Sequence, residues 1–157
     1  MRSYAPFNVD TARAIIAAHQ SRPGPLLPIL HALQEEFGYV DREAEPLIAD
    51  ILNVSRAEVH GVITFYHDFR RTPPSRHVLK LCRAEACQST GGDRLAAYAA
   101  AKIGVAIGGA TADGSVSLEP VFCLGLCAVA PSGMLDGRVI GRMDENTLDA
   151  LLAEINR

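Results

Sequence analysis

The chain has 157 residues, 48% of them hydrophobic and 21% charged, with a formal net charge of −3. That composition suits a folded protein with one or two small cores, and the weak negative charge offers no footprint for nucleic acid. No apolar run is long enough to span a bilayer, and Met1-Arg2-Ser3-Tyr4-Ala5-Pro6 lacks the apolar stretch of an export signal, which points to the cytoplasm.

Residues 1–75 read as helices and a linker. Asn8 or Asp10 caps a first helix to about Gln20, with Ala12, Ile15 and Ile16 on one side. Pro23-Gly24-Pro25 breaks the chain. Leu26, Leu30, Leu33 and Phe37 then recur at helical spacing, and Gly38 can end that segment. Asp41 is a candidate start for a third helix, although Pro46 obscures it; Leu47, Ile48, Ile51 and Leu52 form its apolar side. Ser55 and Glu58 make a capping-box pattern for a fourth helix, whose stripe reads Val59, Val62, Ile63 and Tyr66. Such short helices are marginal alone and must pack together. Arg70-Arg71-Thr72-Pro73-Pro74-Ser75-Arg76 then stops the helical pattern and stiffens a connector. Its arginines suit either water or an acidic partner.

Residues 76–157 change period. His77 to Cys82 fits a buried strand. A loop carrying Cys87 follows, then a helix from Asp93 to Ile103 ended by Gly104. Val116 to Val121 reads as a second strand. Met134-Leu135 and Arg138-Val139-Ile140 flank Asp136-Gly137, a hairpin signal with a type I′ turn. Asp144 caps a last helix with Leu148, Leu151, Leu152 and Ile155 on one face. The resulting class is α+β.

The chemistry gathers on four cysteines. Cys82 and Cys87 have four residues between them, Cys123 and Cys127 have three, and thirty-five separate the pairs. Two close pairs can form a four-thiolate cage for zinc or for an iron–sulfur cluster, since thiolate suits both. In a reducing compartment a metal centre is favoured over disulfides. The thioredoxin-type C-x-x-C is absent. From Pro120 to Leu135 no residue is charged, which predicts a dry, apolar setting, and Gly125 lets backbone N–H groups approach sulfur. A helix starting near Gly92 would turn its positive end toward the site, and Arg83 could add charge favouring a reduced state. Lys80 alternates with apolar neighbours and suits an exposed edge. His60 and His67 lack zinc-ligand spacing, His77 reads as a strand-end residue because four cysteines suffice, and no glycine-rich dinucleotide fingerprint is present.

C-x4-C, thirty-five residues, then C-x3-C resembles the thioredoxin-like [2Fe–2S] ferredoxin family. So do Gly61-Val62-Ile63-Thr64-Phe65-Tyr66-His67-Asp68-Phe69, Leu27-Pro28-Ile29-Leu30 with Gly38-Tyr39-Val40, and Cys123-Leu124-Gly125-Leu126-Cys127 with Ala130-Pro131. The resemblance covers roughly residues 10–155. It implies a helical bundle and linker (1–75) followed by a thioredoxin-like domain with a mixed sheet (76–157). It also implies one [2Fe–2S] cluster bound by Cys82, Cys87, Cys123 and Cys127; all-thiolate ligation in a net-anionic chain argues for a low potential, nearer ~−400 mV than the raised Rieske range. FMN and NAD are expected on a partner subunit, with no independent turnover by this chain. Within the family the chain looks most like the gamma subunit of soluble NAD-dependent formate dehydrogenase, whose complex also has a molybdenum-containing subunit. The equivalent subunits of NADH:quinone oxidoreductase and NAD-linked hydrogenase are the alternatives. From other classes, a zinc-stabilised interaction module and a thiol oxidoreductase compete.

Overall fold

Asn8 opens the first helix, α1 (Val9–His19), by accepting the Thr11 N–H on its side-chain oxygen at 3.0 Å. That bond satisfies one of the donors a helix start leaves open. The structure, a computed structural model, describes residues 4–155. Helix α2 (Leu26–Phe37) ends at Gly38, whose φ of 80° is the left-handed stop that glycine supplies without strain. Helix α3 (Ala44–Leu52) starts later than Asp41. The Asp41 carboxylate instead accepts the Glu43 N–H at 2.8 Å and turns the chain ahead of the helix. Pro46 lies within the first turn, where its missing N–H breaks no intrahelical bond. Helix α4 (Arg56–Phe65) carries the full Ser55–Glu58 capping box.

These four helices share one core, with Ile16, Leu30, Leu33, Phe37, Ile48 and Ile63 among its buried members. Tyr66 departs from the expected stripe. The helix ends at Phe65, Tyr66 turns to an extended backbone, and its side chain is 44% exposed. Phe69 is buried instead. Of the linker arginines, Arg71 pairs with Glu45, which also meets His60 at 3.3 Å.

This helical unit ends at Pro74, and a second compact unit starts at Ser75. Its frame is a five-stranded mixed sheet in the order β2-β3-β1-β4-β5. The strands are β1 (His77–Cys82), β2 (Gly109–Ala110), β3 (Val116–Val121), β4 (Gly133–Leu135) and β5 (Arg138–Ile140). Strand β1 runs parallel to β3 and antiparallel to β4. The two-residue β2, too short for a periodic signal, is the strand the sequence pattern leaves out. Leu79, Leu118 and Leu135 stand level across β3, β1 and β4 and pack on α6 (Gly92–Ile103) and α7 (Glu145–Ile155) through Leu95, Ala99 and Leu148.

The central place of β1 corrects the expectation for Lys80. It is not at an edge; it lies beside Glu119 on β3, with Nζ 4.0 Å from the carboxylate. The hairpin is of the expected kind: Asp136 and Gly137 both have positive φ, 51° and 89°, as a type I′ turn requires. Asp136 also accepts the Val78 N–H at 2.8 Å and contacts the His77 ring at 2.7 Å, tying the turn to the start of β1.

Candidate metal centre

Strand register brings the distant cysteines together. In the parallel β1–β3 pair, Cys82 is level with Val121. The segments leaving both strands therefore start at one end of the sheet, and the Arg83 N–H donates to the Val121 carbonyl at 2.8 Å. The first segment forms a short helix, α5 (Glu85–Ser89), that carries Cys87. Cys87 is thus helical, where a loop was expected; Ala84 accepts the amides of both Cys87 and Gln88 and closes the turn. The second segment passes through Phe122 and Cys123 to Cys127, the first residue of a 3-10 turn (Cys127–Val129).

None of the four cysteines is in a disulfide. The Sγ atoms of Cys123 and Cys127 are 3.7 Å apart. A tetrahedral metal holding two sulfurs at about 2.3 Å sets them about 3.8 Å apart, so this pair already has single-metal spacing. Cys123 adopts φ 78°, unusual for a residue with a Cβ, and the Gly125 N–H reaches its sulfur at 3.4 Å. On the other side, burial works to raise the Cys82 thiol. Its net shift is nevertheless downward, because the Ala84 amide, the Cys87 side chain, the Cys123 amide and the Ser132 hydroxyl all favour its thiolate. The Cys127 thiol is pushed up, first by its contact with Cys123 and then by burial and the neighbouring sulfurs of Cys87 and Cys82. The four sulfurs therefore share one electrostatic neighbourhood. Among the described residues, no three His, Cys, Asp or Glu side chains close around a single point as ligands of one ion. The thiols stand as two pairs.

The dry pocket read from the uncharged run is only half present. Cys82 and Cys87 are buried, at 4% and 2% exposure, whereas Cys123 and Cys127 are exposed. The loop bearing the second pair lies beyond the end of the sheet, and Phe122 beside it is 75% exposed. Helix α6 meets the first pair closely: a Cβ on Gly92 would lie 2.6 Å from the Cys87 carbonyl oxygen. Its positive end is thus beside that cysteine. Arg83 is not a free charge aimed at the thiols. Its guanidinium pairs at 3.0 Å with Asp93 in the first turn of α6. His77 lies at the far end of β1, and His60 and His67 belong to the helical unit.

Sequence reading missed Ser132 altogether. Its carbonyl accepts the Cys82 N–H at 2.9 Å and its hydroxyl is 3.5 Å from the Cys87 sulfur. Only the β1–β4 register reveals this, since Ser132 is distant from both cysteines along the chain.

The described architecture is α+β: a helical bundle, then a thioredoxin-like mixed sheet with the four cysteines gathered at one end. The chain belongs to the thioredoxin-like [2Fe–2S] ferredoxin family, whose model matches residues 12–156. It is similar to the NADP-reducing hydrogenase subunit HndA of Solidesulfovibrio fructosivorans, with 32% identity over 90% of this chain and 85% of that protein. It is also similar to an NADH-quinone oxidoreductase subunit of Pseudomonas aeruginosa, with 33% identity over 78% of this chain and 74% of that one. Among solved structures, it resembles a chain of air-oxidized NAD+-reducing [NiFe]-hydrogenase with TM-score 0.73 and 27% identity, covering 87% of this chain and 23% of the hydrogenase chain.

Proposed function

We propose that the chain is an electron-transfer subunit holding one [2Fe–2S] cluster on Cys82, Cys87, Cys123 and Cys127. The observation that carries this reading is the convergence of two cysteine pairs at one end of the sheet. Two thiol pairs suit two irons, each taking two thiolates. When bound, the cluster supplies one-electron exchange. The chain's own residues hold it and tune it. Cys82 is favoured as thiolate by surrounding donors, the Gly125 amide points at the Cys123 sulfur, and α6 starts against Cys87. The exposed side of the site, at Cys123, Cys127 and Phe122, leaves a short path for electrons to a partner.

The partner we propose is a flavin- and NAD-binding subunit of a multi-subunit oxidoreductase, in the cytoplasm. The helical unit offers a surface for it. A groove of about 440 Å³ is lined by Leu26, Leu27, Ile51, Leu52, Val62 and Tyr66, and Phe65 on α4 is 72% exposed. Among the described residues no helix is long and apolar enough to cross a membrane. For the parent complex, the resemblance of the N-terminal sequence to the gamma subunit favours NAD-dependent formate dehydrogenase. The relatives named above favour a hydrogenase or an NADH-quinone oxidoreductase as the second reading.

The experiment pairs reduction with capture. The isolated chain takes an electron from dithionite and ignores NADH and formate. In the complex captured through this chain, NADH reduces the cluster. Molybdenum in that complex identifies formate dehydrogenase; nickel or quinone-module subunits identify the second reading. Oxidation of NADH by the isolated chain refutes the division of labour.

A further inference from the structure

We infer that the Ser132 hydroxyl is a hydrogen-bond donor to the first cysteine pair that sets the reduction potential of the centre. The inference rests on the [2Fe–2S] reading above and deepens it. Ser132 is 2% exposed, so its hydroxyl has little water to bond. A buried hydroxyl left without a partner is costly, and such groups are nearly always satisfied. Here the partner is a sulfur: Cys87 Sγ lies at 3.5 Å.

Ligation decides the direction of that bond. A thiol can donate or accept, but a metal-bound cysteine has lost its proton. Only the serine can then donate, and its O–H must turn to sulfur. The backbone holds it there. The Ser132 carbonyl accepts the Cys82 N–H at 2.9 Å, and Gly133 next to it is paired with Leu81. A Cβ on Gly133 would lie 2.8 Å from the Lys80 carbonyl oxygen, so β4 is seated against β1 without slack. The backbone that carries the hydroxyl is therefore fixed before any electron arrives.

Reduction adds one negative charge, and much of it spreads onto sulfur. A fixed donor interacts more strongly with the reduced centre than with the oxidised one, which raises the potential. Ser132 is thus a positioning residue that acts through the ligands. It does not ionise and touches no substrate.

The test uses the full chain, reconstituted without air, as wild type, Ser132→Ala and Ser132→Thr. Redox titrations are followed by the paramagnetic signal of the reduced cluster, and iron–sulfur stretching bands are compared in light and heavy water. Ser132→Ala is expected to shift the reduced-to-oxidised ratio about tenfold toward oxidised at the wild-type midpoint. That is about 59 mV downward for a one-electron couple. It should also lose part of the heavy-water shift of the stretching bands, and Ser132→Thr should restore both. An unchanged midpoint in Ser132→Ala, or a Thr variant as low as Ala, overturns the inference while the cluster reading stands. Loss of the cluster from Ser132→Ala would make the residue an assembly element and overturn it as well. A wild-type chain without two irons overturns both together.

Discussion

Replacing Gly92 by Ala tests whether the start of α6 is built onto the backbone of a ligand. The added Cβ would lie 2.6 Å from the Cys87 carbonyl oxygen and 2.9 Å from its carbonyl carbon. Ordinary contact begins at 3.4 Å, so about 0.8 Å must be found. The obstructing atoms are backbone and cannot swing aside as a side chain would. Either α6 lifts from the sheet, loosening Leu95 and Ala99 in the core, or α5 moves and takes Cys87 with it. Overpacking of this kind costs about 1–3 kcal/mol. The better helix propensity of Ala offsets up to about 1 kcal/mol of that, and less at a first helical position. A net loss of about 1–2 kcal/mol follows, with about 4–8 °C in melting temperature for each kcal/mol in a unit of this size. The assay is thermal unfolding of the cluster-free chain, with iron content measured after reconstitution. The variant should melt earlier and hold less iron. Unchanged stability with full iron would refute the packing argument.

Gly61 makes the opposite case. It sits inside α4 with nothing within 4 Å of a built Cβ, so Gly61→Ala should stabilise the helical unit by about 0.5–1 kcal/mol in urea unfolding. Weaker unfolding resistance would show that the space is not free. Acid should weaken the second unit in a definite window. The Thr111 and Ser115 hydroxyls and the Ser115 amide hold the Asp113 carboxyl down at about 2. A carboxyl depressed in the folded state stabilises above its unfolded value of about 4, and that stabilisation is lost as pH falls through the folded value. Stability of Asp113→Asn should therefore fall less steeply than wild type between about pH 4 and about pH 2, and equal slopes would exclude Asp113 as a contributor.

Local chemistry made most helix ends legible. Asn8, the Ser55–Glu58 box, Gly38, Gly104 and Asp144 each act on neighbours within a few residues, so their pattern is written next to the element they bound. Asp136-Gly137 is legible for the same reason, since the turn demands positive φ at both positions. What escaped is long-range or short-lived. Tyr66 leaves the helical stripe because α4 stops one residue before it. Lys80 could be placed only by knowing that β1 lies between β3 and β4. Arg83 looked like a charge for the site until α6 supplied Asp93. Cysteine pairing was visible as spacing, but the buried first pair and the exposed second pair differ because one side lies under Ser132 and α6 while the other hangs on a loop. Nothing periodic in the chain announces that difference.

In the proposed centre two thiol pairs hold two irons. The direct measurement is iron, zinc and acid-labile sulfide analysis of the full chain purified without air, joined to quantified paramagnetic resonance after dithionite reduction. The expected result is about two irons, about two sulfides and one unpaired electron per chain, all lost or weakened in Cys123→Ser. A colourless protein holding one zinc, with no sulfide and no signal on reduction, would contradict it.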